Sequence, residues 1–134
     1  DAPYRSVCTT STHDMNPIRA WWEEDEALTQ HFYNRALGMA GPAPAKCEEW
    51  IADKIINQHL NSNAMWIILP WQDWMALSEK LCLEHPFAER INVPSNPRNF
   101  WCYRMHINLE KLLKETKLNN KISKMISDTG RLQQ

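Results

Sequence analysis

The stretch Ala64-Met-Trp-Ile-Ile-Leu69 is apolar at every position and is bounded by Asn63 and Pro70. It is too short for an ordinary globular helix. A strand with one wet face alternates apolar and polar residues, whereas an unbroken apolar run is the pattern of a strand covered on both faces, as in parallel sheets. A parallel strand needs a partner reached through a long crossover. Tyr4 to Ser11, rich in β-branched and aromatic types and ending in a polar cluster, supplies that partner.

Between the two strands the sequence reads as helical. Asn16 is placed to cap free amides, Pro17 suits a first helical position, and Ile18, Trp21, Trp22, Leu28, Phe32 and Ala36 recur at helical spacing up to Gly38. This predicts one helix, with Glu23, Glu24, Asp25 and Glu26 near its positive end. After the breaker Gly41-Pro-Ala-Pro-Ala45, a second helix is expected from Lys46 to Leu60 with Trp50, Ile51, Ile55 and Ile56 on one face. Trp71 to Ser78 suits a short helix, and Glu79 to Asn99, punctuated by Pro86, Pro94 and Pro97, reads as a long loop of the kind that carries function. The remainder reads as helical. From Asn108, Leu109, Leu112, Leu113, Leu118, Ile122, Met125 and Ile126 form the apolar set, with a break expected near Asn119-Asn120 and an end at Gly130.

The order is therefore β-α-β-α, an α/β arrangement that is mostly helical with few short parallel strands. Two parallel strands alone leave both edges unpaired, whereas a closed barrel of eight such units has no edge. The chain accordingly reads as a slice of a larger fold, beginning mid-protein: it lacks an initiator Met and a basic-then-apolar signal pattern.

Bulk properties narrow the partners. A net charge of −1 with both signs interspersed gives no basic field for nucleic acid or anionic lipid, and no apolar run is long enough to cross a bilayer. No nucleic acid, membrane, metal or cofactor is expected as a partner. The four cysteines, Cys8, Cys47, Cys82 and Cys102, form no Cys-x-x-Cys pair and read as reduced thiols of a cytoplasmic protein. The seven tryptophans fit core packing for the most part and sugar stacking for some.

Thr12-His13-Asp14-Met15 with Ile18-Arg19 and Trp21-Trp22-Glu23-Glu24-Asp25, then Ile68-Leu-Pro-Trp-Gln-Asp73, Glu89-Arg90-Ile91-Asn92-Val93-Pro94-Ser95-Asn96-Pro97-Arg98, Trp101 and Tyr103-Arg104-Met105-His106 occur in that order. Together they resemble glycoside hydrolase family 77, the amylomaltase-type 4-alpha-glucanotransferases, and most of all its long, plant-cytosolic branch. The resemblance reaches to about Leu113. It implies a (β/α)8 TIM barrel, with residues 1–134 as the C-terminal part of the catalytic barrel, near its seventh and eighth strands.

The resemblance also implies the chemistry: transfer of alpha-1,4-glucan segments between maltooligosaccharides with retention, by double displacement. That needs a carboxylate nucleophile and a carboxyl acid/base. The family places them in Arg-x-Asp-His and Ala-Glu-Asp-Leu-Gly contexts, and neither occurs here. The chain alone is thus expected to be inactive. Asp14 matches the family's third acidic residue, which stabilises the transition state, while His13 and Asn92 match substrate-binding positions.

Read without the resemblance, these residues have ordinary roles. A His-Asp pair ahead of a helix suits capping, Asn92 suits an Asx turn before Pro94, and the Glu23–Glu26 run suits a solvated helix start. Trp101, next to Phe100 and close to Tyr103, reads as a buried buttress. Two rival readings of the chain remain: a non-catalytic module that binds glucan through its tryptophans, and a helical module that self-associates through exposed strand edges.

Overall fold

The computed structural model describes residues 2–131. Both expected strands are present, and they pair in parallel: β1 (Val7–Cys8) lies beside β2 (Trp66–Ile67), with Val7 opposite Trp66. Bonds from the Met65 amide to the Tyr4 carbonyl (2.7 Å) and from the Ile68 amide to the Cys8 carbonyl (3.0 Å) extend the pairing. The expected cover on both faces is absent among the described residues. Ile67 and Leu69 pack against the core, but Trp66 and Ile68 are 62% and 61% exposed. Helices lie over one face of the ribbon only, so every second apolar side chain faces outward.

The single helix expected after Pro17 is two. Helix α1 (Ile18–Glu24) stops at Asp25, whose backbone is extended and whose carboxylate accepts the Leu28 amide at 2.9 Å, capping α2 (Glu26–Arg35). A side chain that bonds its neighbours' amides offers the backbone an alternative to continuing the helix. The break resets the helical phase. Leu28 and Ala36, expected inside, face solvent, and Thr29 and Tyr33 are buried instead. Glu23 and Glu24 therefore end a helix rather than begin one, and the Asn16 amide holds Glu24 at 2.8 Å. Gly38, at φ +65°, lies just beyond α2, as its position in the sequence suggested.

Helix α3 (Glu49–Leu60) starts later than Lys46 because Glu48 is extended. It buries Ile51, Ala52, Ile55, Ile56 and Leu60 in one face. Each large aliphatic buried there contributes about 1.5–3 kcal/mol, which makes α3 the spine of the core. Around it sit Trp22, Tyr33 and Leu37 from the first half, and Met75 to Leu77 from α4 (Trp71–Met75) and the residues after it.

The long loop after α4 contains two 3₁₀ turns, Glu79–Leu81 and Pro86–Glu89. Residues 100–108 are not helical, contrary to expectation. Helix α5 (Leu109–Lys114) begins where the Asn108 side chain caps the Lys111 amide. The break before α6 (Thr116–Asp128) falls at Glu115, not at Asn119-Asn120. Asn119 lies inside α6 and donates its side-chain amide to the Leu112 carbonyl at 3.0 Å, satisfying an acceptor freed by the end of α5.

Two buried carboxyls join segments far apart in sequence. Asp73, fully buried in α4, accepts the Thr10 hydroxyl and, at 3.1 Å, the Ser11 hydroxyl on one oxygen. Its other oxygen accepts the Ile18 amide at 2.7 Å. The first turn of α1 is thus capped from α4, not by Asn16 as expected. Glu89, also fully buried, accepts the Leu83 amide at 3.0 Å and faces Arg19 at 3.4 Å. Burial raises both carboxyls above their usual range, and the hydrogen-bond donors only partly offset it.

Asp73→Ala strands three donors at once, and unpaired buried donors cost about 1–3 kcal/mol each. With partial relaxation the expected loss is about 2–4 kcal/mol, read as a drop in the urea midpoint, with Asp73→Asn milder because one acceptor survives.

Raised carboxyl values also set a pH slope. The folded state holds protons that the unfolded chain has released, so stability falls as pH rises from the ordinary carboxyl range through the raised folded values. Urea titrations between pH 4 and pH 7 are expected to show this decline, and Glu89→Gln to make it shallower; an unchanged slope in that variant would remove Glu89 as a source.

Candidate active-site edge

β1 and β2 run the same way, and the residues that follow each strand leave the sheet at the same end. From β1 the chain passes through Thr9, Thr10 and Ser11 into a turn in which the Met15 amide bonds the Thr12 carbonyl at 3.0 Å. Asp73 pins the base of this turn. His13 and Asp14 sit at its tip, their side chains 49% and 48% exposed, with His13 Nε2 3.3 Å from Asp14 Oδ1.

The turn meets the loop after the second 3₁₀ turn. Asn92 Nδ2 donates to Asp14 Oδ1 at 2.6 Å, and the Asn92 backbone amide bonds the His13 carbonyl at 3.0 Å. Asn92 Oδ1 accepts from Asn99 at 2.8 Å. Its side chain therefore forms no Asx turn ahead of Pro94, because one end is committed to Asp14 and the other to Asn99. Nor does Asp14 cap α1, since that amide belongs to Asp73. His13, Asp14 and Asn92, singled out from sequence, converge on one exposed patch.

Arg90 holds the two loops together. Its guanidinium donates to the Asn92 carbonyl (2.7 Å), Asn16 Oδ1 (2.9 Å) and the Asp14 carbonyl (3.1 Å). Planar donors in a fixed fork suit this bridging better than a lysine's point charge. Sequence reasoning quoted Arg90 and Asp73 within motifs without giving either a role. The signal for Asp73 was a carboxylate in the first turn after a buried strand, at the end where loops gather.

Trp101 is not the buried buttress expected. It is 62% exposed, and its ring lies 4.6 Å from that of His13 at an interplanar angle of 45°. Residues 100–108 are not helical, and among the described residues no second layer lies over the indole.

A groove of about 1140 Å³ lies elsewhere, lined among others by Glu48, Glu49, Trp50, Asp53 and Lys121 and touching none of the residues above. Several of its polar groups already bond within the chain. Glu49 accepts the Glu79 amide at 2.6 Å, Asp53 pairs with Lys121 at 2.9 Å, and Glu48 holds the Trp50 indole at 2.7 Å. The patch around Asp14, with its carboxylate and the His13 imidazole half exposed, is the better candidate. Thiol chemistry at two of the cysteines is disfavoured as well. All four cysteines are free, and burial pushes Cys47 up to about 12 and Cys82 to about 11, so both stay protonated at neutral pH. No helix among the described residues is long and apolar enough to cross a membrane.

Comparison with known proteins identifies the chain's relatives. The chain is 36% identical over 128 residues to a 4-alpha-glucanotransferase of Oryza sativa subsp. japonica, an alignment that covers 96% of this chain and 14% of that protein. It is 29% identical over 121 residues to a 4-alpha-glucanotransferase of Chlamydia muridarum, covering 90% of this chain and 22% of that one. A Chlamydia caviae 4-alpha-glucanotransferase is 31% identical over 123 residues, with 91% and 23% covered. The chain thus spans less than a quarter of the length of these relatives. The model of glycoside hydrolase family 77, described as 4-alpha-glucanotransferase, matches residues 1–110, the part that holds both strands, the Asp14 turn and the Asn92 loop, and the chain belongs to that family.

Proposed function

We propose that the chain is the C-terminal part of the catalytic barrel of a 4-alpha-glucanotransferase, about its seventh and eighth β/α units, and that Asp14, His13 and Asn92 form one wall of the sugar site. The observation that carries this reading is the 2.6 Å bond from Asn92 to Asp14, which joins two loops on an exposed surface beyond the C-terminal ends of parallel strands. Barrel enzymes gather their active residues at that end. The outward apolar faces of Val7, Trp66 and Ile68 suit a sheet that continues into further strands.

The reaction runs in two displacements. A carboxylate elsewhere in the protein attacks the anomeric carbon while the glycosidic C–O bond breaks and a carboxyl acid protonates the departing oxygen. The 4-hydroxyl of an acceptor glucan then attacks the glycosyl-enzyme and gives its proton back to that group. Both carboxyls lie outside the motifs of this chain. Asp14 acts on the ring between them: its carboxylate accepts sugar hydroxyls and opposes the positive charge that grows at the anomeric carbon. Asn92 and His13 fix which oxygen of Asp14 faces the sugar.

In the full-length protein, Asp14→Asn is expected to lower kcat by about 10²- to 10³-fold, with Asn92→Ala weaker, because the loss falls on charge present only in the transition state. Release of glucose from maltose measures it. A variant with normal turnover would remove Asp14 from the mechanism.

The isolated chain is expected to release no glucose from maltose, and turnover by it would contradict the division of the site. A second reading, self-association of the isolated chain, is favoured by the same uncovered strand face. Sedimentation of the isolated chain as a monomer would dismiss it.

A further inference from the structure

Two tryptophans, Trp66 and Trp101, are equally exposed at 62%, but their settings differ. Trp66 sits in the outward face of the strand ribbon beside other apolar side chains, where more sheet would cover it. Trp101 sits among polar groups: His13 against its ring, with Asp14, Asn92 and Asn99 linked to one another alongside.

The backbone presents Trp101 on purpose-built geometry. The Cys102 amide bonds the Phe100 carbonyl at 2.8 Å, a tight turn centred on Trp101 that throws its side chain outward. Two residues earlier, Asn99 is anchored to Asn92 at 2.8 Å, and the Asn92 backbone is anchored to His13. The indole is therefore tied through Asn99 to the same bonds that position Asp14, and its orientation is fixed by the His13 ring. A free surface indole would have neither constraint.

An aromatic face carries a negative quadrupole. A glucopyranose ring has one face of axial C–H bonds, weakly positive and apolar, with hydroxyls around its rim. A flat indole bordered by a carboxylate, an imidazole and amides matches that division: C–H groups on the ring, hydroxyls on the polar side chains. A peptide offers no ring of hydroxyls around an apolar face, and Arg90, the cation that joins the two loops, already spends three of its donors within the chain.

We propose that Trp101 is a substrate-stacking residue, the platform of a glucosyl subsite adjoining Asp14 and Asn92. It sets affinity for maltooligosaccharides through that ring. The inference rests on the glucan reading of the site given above, and its test separates the two.

In the full-length protein, Trp101→Ala is expected to raise KM for maltoheptaose about tenfold and Trp101→Phe about threefold, the range of one lost or reduced aromatic contact. Chemical footprinting needs no variant: maltoheptaose, but not sorbitol at equal concentration, is expected to protect Trp101 from oxidation by N-bromosuccinimide, read by peptide mass spectrometry. KM within twofold of the parent value in a folded Trp101→Ala protein, or unprotected Trp101 where the variant does not fold, overturns the subsite. If Asp14→Asn still lowers kcat as expected above in that case, the platform alone is lost and the glucan reading stands.

Discussion

Donors from two segments of the first twenty residues converge on the Asp73 carboxylate, and the rest of the site hangs from that convergence. Thr10 and Ser11 end β1, Ile18 begins α1, and the turn between them carries His13 and Asp14. Hydrogen bonds to a charged, buried acceptor are worth about 1.5–3 kcal/mol each. The exposed contact of His13 with Asp14 is worth about 0–1 kcal/mol. The position of Asp14 is therefore set from beneath by Asp73, not by its surface neighbour.

A second clamp works from the other side. Arg90 bridges the carbonyls of Asp14 and Asn92 and the side chain of Asn16, while the residue before it, Glu89, is buried against Arg19 and the Leu83 amide. Adjacent residues on one strap thus face opposite ways, one into the core and one into the site. Arg19 of α1 ties the strap down through Glu89 and the Leu83 carbonyl. Both clamps put charge in low-dielectric surroundings, which burial resists, and this is why Asp73 and Glu89 hold protons above the usual carboxyl range.

Much of this was legible in residue order. The unbroken apolar run at Ala64–Leu69 called for a parallel strand, and its partner was found at Val7–Cys8. The Ile51, Ile55 and Ile56 spacing located the buried face of α3. Where reading failed, a side-chain bond overrode periodicity. Asp25 captured the Leu28 amide and split one helix into two, and Asn119 reached back to Leu112 and sat within a helix it was expected to break. Trp101 was expected to be buried because of its aromatic neighbours Phe100 and Tyr103, but burial depends on whether a second layer lies above a residue, and none does among the described residues.

Sequence by itself determined the chain's family, its alternation of strand and helix, and the identity of the polar residues at the loop tips, because these rest on local pattern and motif order. Tertiary structure alone decided that Asp14 and Asn92 touch, that Asp73 and Arg90 hold them, and that Trp101 faces outward. Those facts depend on contacts between residues tens of positions apart. No local preference encodes such a contact, because its stability exists only once the intervening chain has folded and water has been driven from the groups that make it.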